Sequence, residues 1–268
     1  MDRDTASLLV TATRQAWASV EKLIDVLDGD DWDRPTPCVG WSVKDLVAHL
    51  GHIEGLMVHG FDQPDPTADW VGNGSPLDQV TGQGVSSRRG WSVDQVAAET
   101  RRAGAATLRL FAGTVDWEEQ ALTPIGPATR QVAVEMRVND LFIHLCDLRA
   151  ALGLPVDHYQ EPAARTVAVG RATRLTPWAW VKRARATEGQ RLRLDLSGPG
   201  GIQIDVVVRD GRAVIEPQSE TPDATVKGSA LAYLLAVSGR HALIEAAGGL
   251  VATGEPARLL LEKYRLVG

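Results

Sequence analysis

Hydrophobic residues recur with a helical period over four stretches in the first half of the chain. The first stretch runs from Thr5 to Leu27, and the second begins at Ser42, a good helix cap with Asp45 at the capping-box position. The third and fourth run over about 92–112 and about 130–152. Four long helices joined by loops are typical of a helical bundle, and facing bundle helices commonly supply metal ligands to their core.

Two segments between these helices lack a sustained hydrophobic period. Phe61 to Gly90 is rich in glycine, proline and aspartate, which predicts a long loop that could cover an active site. A turn is predicted at Pro124 to Pro127, shortly before the fourth helix. Neither segment is predicted to contain a helix or a strand.

The hydrophobic pattern changes after about Pro155. One more helix is predicted over Glu161 to Leu175, and the TPWAWVKR segment that follows predicts an aromatic connection. Apolar and polar residues alternate on both sides of the turn SGPGG, which predicts a β-hairpin. Further strands are predicted at Ala213–Glu216 and in ATVKG, and further helices at about 229–238 and 256–264.

Strands followed by helices in the second half indicate an α+β unit. With 268 residues, the chain is long enough for one large domain or two smaller ones. We therefore predict the α+β fold class, with a helical bundle over 1–155 and a smaller α+β domain over 156–268 that includes the connecting helix.

Composition and charge narrow the class of protein. Apolar residues make up 44% and charged residues 23%, as in ordinary soluble globular proteins. The formal net charge of −6 argues against a nucleic-acid binder, whose surface is normally basic. The N-terminus lacks an apolar signal core, and no apolar run reaches a membrane-spanning length. We therefore expect a cytoplasmic protein without a membrane partner.

The chain has two cysteines, Cys38 and Cys146. A reducing cytoplasm argues against a disulfide between them. On a helix, Cys146 points away from His144, and it is predicted to be a buried structural thiol. The sequence does not predict whether Cys38 is buried or which residues it contacts.

The fourth helix carries half of a candidate metal site in RVNDLFIHLCDL. Asp140 and His144 are four residues apart, so a carboxylate and an imidazole share one helix face. His49, at the edge of the apolar stripe of the second helix, is the predicted third ligand. His52 falls on the far side of that helix and is predicted to be a surface histidine. Glu54 falls within the stripe as a buried carboxylate that needs a partner.

Two imidazoles and one carboxylate suit zinc, with nickel, iron or manganese as alternatives. Three protein ligands leave a coordination position open, which implies catalysis or ligand binding. Asp147 and Arg137 either orient the ligands or form surface ion pairs. Taken from the pattern alone, a histidine at the edge of an apolar stripe is more often a packing residue than a ligand, so both interpretations stay open.

Several segments together resemble a known family. They are TPCVGWSVKDLVAHL and IHLCDL in the first half, and DATVKGS, SGR and ATGEPARL in the second. Over essentially its whole length, the chain resembles the mycothiol-dependent maleylpyruvate isomerase family of actinobacteria. The resemblance implies a DinB-like four-helix metal-binding bundle followed by a small α+β domain.

The resemblance also implies roles for particular residues. The family holds a divalent metal, typically zinc, with a histidine of the second helix and an acid-x-x-x-His pair of the last bundle helix. These positions match His49, Asp140 and His144. The family's acid is commonly glutamate, so Asp140 is a departure that is one methylene shorter. Basic residues act toward the acidic substrate or the thiol, and Arg240 in SGR and Arg137 are the predicted catalytic residues.

The activity that the resemblance implies is chemistry on a thiol. The metal binds the sulfur of mycothiol and favours the thiolate, which attacks an electrophilic small molecule in an isomerase or S-transferase reaction. The alternative is a non-catalytic small-molecule binding protein with a degenerate metal site. Asp140 in place of glutamate favours the alternative, whereas retention of His49 and His144 favours the enzyme. A monomer or a homodimer is expected, with the electrophile and the thiol as partners.

Overall fold

The chain forms two compact units, Met1–Leu154 and Pro155–Gly268. In a computed structural model, the described residues are 2–59, 76–123, 126–157, 161–218 and 221–266. The first unit is mainly helical, and the second combines helices with a five-stranded sheet. This mixture confirms the predicted α+β fold class.

Long helices make up most of the first unit. Its described α-helices are Arg3–Val26 (α1), Val43–His59 (α2), Pro76–Ser86 (α3), Val93–Leu110 (α4) and Arg130–Ala151 (α5). A short 3-10 helix at Gly29–Asp33 follows α1, and an antiparallel hairpin of Gln120–Thr123 (β1) and Gly126–Thr129 (β2) precedes α5. The four predicted helices correspond to α1, α2, α4 and α5.

Helix α3 corrects the prediction of one long loop from Phe61 to Gly90. Residues 61–75 lie outside the described residues, but residues 76–86 are helical. Gly84 packs so closely against α2 that a Cβ there would lie 2.0 Å from Cδ2 of His52. Packing against α2 therefore overrides a weak helix propensity. The same contact leaves His52 half-buried beneath α3 instead of on the open surface.

Residues 126–127 of the turn predicted at Pro124 to Pro127 instead begin β2, and residues 124–125 lie outside the described residues. The two strands are short and carry no alternation that predicts them. At the end of β2, the Thr129 hydroxyl accepts a hydrogen bond from the backbone N–H of Val132 and caps α5. The hairpin therefore fixes where the helix of Asp140 and His144 begins.

Helix α5 is buried on almost every side. From Arg137 to Arg149, every residue is buried except Asp140. A helix buried all round is typical of the centre of a domain. The partly exposed residue of this stretch, Asp140, is one of the predicted metal ligands.

Helices α2 and α4 approach closely at Gly51. The Thr100 hydroxyl donates to the Val47 carbonyl, with 3.0 Å between the oxygens. A Cβ on Gly51 would lie 2.5 Å from Thr100 Oγ1 and 2.9 Å from its Cα. A glycine is therefore required at this crossing, which lies two residues after His49.

The second unit consists of a long helix, a five-stranded sheet and shorter helices. Its described elements are Pro162–Lys182 (α6), Arg191–Ser197 (β3), Gln203–Arg209 (β4), Arg212–Glu216 (β5), Ala224–Ser229 (β6), Ala230–Val237 (α7), the 3-10 helix His241–Leu243, Leu250–Thr253 (β7) and Glu255–Lys263 (α8). The strand order is β5-β4-β3-β6-β7, with β3 and β6 parallel and the other neighbours antiparallel. Leu192, Leu194 and Leu196 of β3 are buried, as their alternation predicts.

Helix α6 extends through the segment predicted to be a connection. It continues past Leu175 and through Pro177 to Lys182. The proline costs the helix a backbone hydrogen bond, but Trp180 in the last turn is fully buried and donates from Nε1 to the Gln190 carbonyl. Burial of Ala179 and Trp180 thus outweighs the proline. Among the described residues, neither α6 nor any other helix has the length and apolarity to cross a membrane.

A buried ion-pair cluster joins β3 and β4. Asp205 is completely buried, with Oδ2 3.0 Å from Arg191 Nη1 and Oδ1 2.8 Å from Arg193 Nε. Burial raises the pKa of Asp205, but hydrogen bonds from Arg193 and Arg191 more than offset this, so its pKa lies below the ordinary 3.8. The cluster therefore keeps a charged carboxylate inside the sheet unit.

Candidate metal centre

His49 projects from α2 into the interior of the first unit. Its ring is 3% exposed, and among the described residues neither ring nitrogen has a hydrogen-bond partner. The nearest ionic group is Asp140, whose Oδ2 lies 3.6 Å from Nε2 of His49. A buried polar group without a partner is rare in folded proteins, because its desolvation is not compensated. The unpartnered imidazole of His49 is therefore a candidate ligand for a bound ion.

Asp140 and His144 meet His49 from α5. Asp140 Oδ1 lies 3.3 Å from Nε2 of His144, and the ring centroids of His49 and His144 are 4.9 Å apart. One ligand atom from each of the three side chains lies within 4.8 Å of the other two. The structure thus brings together all three residues that the sequence predicts as ligands.

The spacing of these atoms suits a metal ion. Nitrogen and oxygen atoms bound to one tetrahedral zinc ion at roughly 2.0–2.2 Å are about 3.3–3.6 Å apart. The 3.3 Å from Oδ1 of Asp140 to Nε2 of His144 and the 3.6 Å from Oδ2 of Asp140 to Nε2 of His49 each fall in this range, and they join the two different oxygens of the carboxylate. Two imidazole nitrogens and a carboxylate oxygen are also a common catalytic donor set for zinc.

Asp147 orients His144 from one turn further along α5. Asp147 Oδ2 lies 2.9 Å from Nδ1 of His144, and Asp147 is completely buried. A carboxylate can only accept a hydrogen bond, so Nδ1 carries the proton. Nε2 is then left to face Asp140 and His49, which is the usual arrangement behind a metal-binding histidine.

Arg137 links Asp140 to a second buried carboxylate. Its Nε donates to Oε2 of Glu54 at 2.5 Å, its Nη2 donates to the Leu50 carbonyl at 2.8 Å, and its Nη1 donates to Oδ2 of Asp140. Glu54 also accepts from Nε1 of Trp17 at 3.1 Å, which supplies the partner that its buried position requires. The Arg137 side chain is 6% exposed, so this is not a surface ion pair.

The protonation states follow from burial and charge. Burial lowers the pKa of His49 from 6.5 to about 4, and the Asp140 carboxylate offsets only part of this effect. Burial also lowers the pKa of His144, but the charge of Asp140 and the hydrogen bonds to Asp140 and Asp147 hold it well above 6.5. Burial raises the pKa of Asp140, yet His144, His49 and Arg137 hold it well below 3.8. The site thus contains an ionised carboxylate and a neutral His49.

Cys38 lies at the back of the site, where the sequence did not place it. Its Sγ is 3.3 Å from Oδ2 of Asp147 and 3.8 Å from Nδ1 of His144. The only signal in the sequence is that Cys38 lies in the turn directly before the helix of His49. Cys146 is buried, in agreement with its prediction as a structural thiol.

Arg240 lies in the second unit, immediately before the 3-10 helix His241–Leu243. Its Nη1 donates to the Ser238 carbonyl at 2.7 Å, and the residue is half-buried. These contacts hold the guanidinium against the SGR turn. They do not test its predicted part in catalysis.

Comparison with known proteins gives matches in sequence. A sequence profile described as the mycothiol maleylpyruvate isomerase N-terminal domain matches residues 13–149. An uncharacterized protein of Mycobacterium tuberculosis, in strains CDC 1551 / Oshkosh and H37Rv, is 26% identical over 161 residues, which cover 60% of this chain and 76% of that protein.

Two solved structures share the fold. Crystal structures of the mycothiol-dependent maleylpyruvate isomerase, as a histidine-to-alanine mutant and without that mutation, match with TM-scores of 0.61 and 0.58. Each match covers 92% of this chain and 92% of the other, at 16% sequence identity. At this identity the likeness establishes a common fold across both units.

Proposed function

Because the chain belongs to the family of the mycothiol maleylpyruvate isomerase N-terminal domain, we propose that it is a divalent-metal-dependent enzyme. It uses a low-molecular-weight thiol, mycothiol, on an electrophilic small molecule, as an isomerase or an S-transferase. The observation that carries this proposal is His49, a buried imidazole beside Asp140 and His144 whose ring nitrogens have no hydrogen-bond partner in the described part of the chain. This arrangement of intact ligands favours the enzyme over a non-catalytic binding protein with a degenerate metal site.

His49, Asp140 and His144 would hold the ion, with zinc as the first choice and nickel, iron or manganese as alternatives. Three protein ligands leave room for the thiol. A bound divalent ion supplies the positive charge that favours the thiolate, which is the nucleophilic form.

The protein's contribution is to fix the ligands. Asp147 holds the Nδ1 proton of His144, so Nε2 remains a lone-pair donor. Arg137 occupies Oδ2 of Asp140, which restrains a side chain one methylene shorter than the family's usual glutamate. Because all three guanidinium nitrogens of Arg137 face Glu54, Leu50 and Asp140, we assign Arg137 to positioning Asp140 instead of touching the substrate.

Metal analysis tests the proposed ligands. Purified wild-type protein is expected to contain about one divalent ion per chain by plasma mass spectrometry, and His49→Ala and His144→Ala to lose most of it. His52→Gln is the matched control, because His52 lies on the same helix but outside the cluster. A metal content that is unchanged in His49→Ala, or absent from wild type after reconstitution, would sink the proposal.

Thermal unfolding tests the thiol. Mycothiol at a hundred times its Kd is expected to stabilise the metal-loaded protein by about 2.7 kcal/mol, because it binds the native state. The chelator-treated protein should show no such gain. Equal stabilisation with and without metal would separate thiol binding from the metal site and contradict the proposed mechanism.

Arg240 is proposed to bind the acidic part of the substrate or of the thiol. Arg240→Ala should then raise KM more than it lowers kcat, and Arg240→Lys should recover part of the loss, because a lysine keeps the charge but not the guanidinium fork. A KM that Arg240→Ala leaves unchanged would remove Arg240 from the site. A cytoplasmic location and a monomeric or homodimeric state remain predictions.

A further inference from the structure

A second group of metal-binding atoms lies behind His144, on the side away from His49. It consists of Sγ of Cys38, Oδ2 of Asp147 and Nδ1 of His144. Sγ is 3.3 Å from the carboxylate oxygen and 3.8 Å from the ring nitrogen, and these two atoms are 2.9 Å apart. Thiolate, carboxylate and imidazole are together a donor set for zinc and for softer ions.

The group is held in place by the turn that carries Cys38. The Cys38 amide donates to Oγ1 of Thr36 at 3.2 Å, and the Cys38 carbonyl accepts from the Trp41 amide at 3.0 Å. Gly40, with φ of +79°, closes this turn in a conformation that favours glycine. Because the backbone is fixed at both ends of the residue, Sγ is aimed at Asp147 without being drawn there by an ion.

Access also suits a cation site. Cys38 is half-buried, whereas Asp147 and His144 are buried. The thiol therefore offers an entry point from solvent, and the two buried ligands lie directly behind it. Ligand atoms around one tetrahedral ion with a sulfur ligand at roughly 2.3 Å are about 3.3–3.6 Å apart. The separation of 3.3 Å lies within this range, and those of 2.9 Å and 3.8 Å differ from it by a few tenths of an ångström.

We propose that Cys38, Asp147 and Nδ1 of His144 form a second cation site for a thiophilic divalent ion such as Cd²⁺ or excess Zn²⁺. On binding, the ion replaces the thiol proton of Cys38, which leaves to solvent, and binds Nδ1 of His144, whose ring keeps one proton on Nε2 so that the imidazole stays neutral. The Asp147 carboxylate changes from accepting the Nδ1 proton to binding the ion. No oxidation or reduction takes place.

The second site is coupled to the proposed catalytic site because His144 serves both. Nε2 faces Asp140 and His49, and Nδ1 faces Asp147 and Cys38. A neutral imidazole offers one lone pair, so an ion on Nδ1 leaves Nε2 protonated and an ion on Nε2 leaves Nδ1 protonated, and each ion weakens the binding of the other. Coupling of binding free energies is reciprocal. A thiophilic ion at Cys38 therefore acts as an inhibitor that needs no contact with substrate.

The test follows the ultraviolet thiolate-to-Cd²⁺ charge-transfer absorption during titration of the chelator-treated protein. Wild type and Cys146→Ala are expected to develop the band with one Cd²⁺ per Cys38 thiol, and Cys38→Ser to show none. Cys146 is the matched control because it is the other cysteine of the chain. Asp147→Asn and His144→Ala should each weaken the Cd²⁺ affinity at Cys38 by at least about tenfold.

His49→Ala separates the two sites. It removes a ligand of the first site only, so the Cys38 band should remain, and preloading wild type with Zn²⁺ should raise the Cd²⁺ Kd. A band that persists in Cys38→Ser, or that disappears in His49→Ala, would overturn the second site. So would an affinity unaffected by both Asp147→Asn and His144→Ala, which would indicate binding to a lone thiol. These outcomes do not depend on the metal content that tests the first site.

Discussion

His49 shows how far a single residue can be predicted from sequence. The helical wheel places it at the inner edge of α2, and the spacing of Asp140 and His144 places those two on one face of α5. No periodicity predicts that its ring nitrogens lack partners, because this depends on which side chains α5 brings opposite. The two α5 ligands follow from local spacing, whereas the convergence of α2 and α5 is a tertiary property.

Arg137 and Cys38 mark the limit of that reasoning. The sequence allowed Arg137 to be either an orienting residue or a surface ion pair, and burial against Glu54 decides between them. Cys38 lies in a proline-rich turn without any period. Its approach to Asp147 comes from the folding of that turn over α5, which a one-dimensional pattern does not encode.

Asp147→Asn should weaken metal binding at the His49 site without removing a ligand. An asparagine amide presents no charge to the Nδ1 proton of His144, so the imidazole becomes a poorer donor, and the affinity should fall roughly 10–100-fold. Competition with a chromophoric chelator measures the change. Asp25→Asn, which breaks an exposed ion pair with Arg101, is the control and should leave the affinity unchanged. Equal affinities in the two variants would contradict the assigned role of Asp147.

At the scale of elements, helices with a clear apolar stripe were predictable and short or atypical ones were not. α1, α2, α4 and α5 correspond to predicted helices, but α3 is stabilised mainly by packing on α2, with Gly84 against His52. α6 passes through Pro177 because Ala179 and Trp180 beyond it are buried. Tertiary burial decides each of these cases, and local propensity only sets a weak prior.

Gly51 and Gly55 of α2 should respond in opposite directions to the same substitution. Gly51→Ala places a Cβ 2.9 Å from the Thr100 backbone, and the forced shift should cost about 1–3 kcal/mol of unfolding free energy. A Cβ on Gly55 would meet no atom within 4 Å, so Gly55→Ala should stabilise the helix by about 0.5–1 kcal/mol. Urea unfolding of both variants measures the difference. Two losses of equal size would contradict the close approach of α2 and α4.

At the scale of the whole molecule, the α+β fold class was predictable, but the strand pairing was not. The hairpin of β3 and β4 follows from alternation on both sides of SGPGG. The parallel pairing of β3 with β6 joins segments about thirty residues apart in the sequence. Strand β7 has only four residues, which is too short for an alternation pattern to predict it. Non-local pairing depends on which strands reach the same edge, and the alternation pattern does not contain that information.

Stability of the second unit should depend on pH through Asp205. Its folded-state pKa lies below its ordinary value of 3.8, so the charged carboxylate contributes stability above that pH, and the contribution is lost as the pH falls through the folded-state pKa. Asp205→Asn leaves Arg191 buried beside a neutral group and should cost roughly 3 kcal/mol near neutral pH. The penalty should shrink as the pH falls below 3.8 and through the folded-state pKa, because wild type then loses its own carboxylate charge.

Urea unfolding at several pH values, followed by hydrogen exchange in β3 and β4, measures this dependence. Asp210→Asn is the control, because Asp210 is exposed in the turn between β4 and β5 with φ of +52°, a conformation that asparagine also adopts. A penalty for Asp205→Asn that is the same at every pH would mean that the residue contributes shape but not charge.

The Glu54–Arg137 ion pair has a consequence for the kinetics of folding. The two residues are 83 positions apart, and each is buried in the folded first unit. Bringing their helices together carries a loop-closure cost, and burying either charge alone costs several kcal/mol. We therefore expect the pair to form after the transition state, once α2 and α5 have docked.

Glu54→Gln should accordingly leave the folding rate nearly unchanged and accelerate unfolding, because an interaction absent from the transition state acts on the unfolding rate. Stopped-flow chevrons of wild type and variant measure both rates. A slower folding limb would instead place the pair in the folding nucleus. The ion pair that holds Asp140 in position thus sets how long the folded first unit persists, and not how quickly it forms.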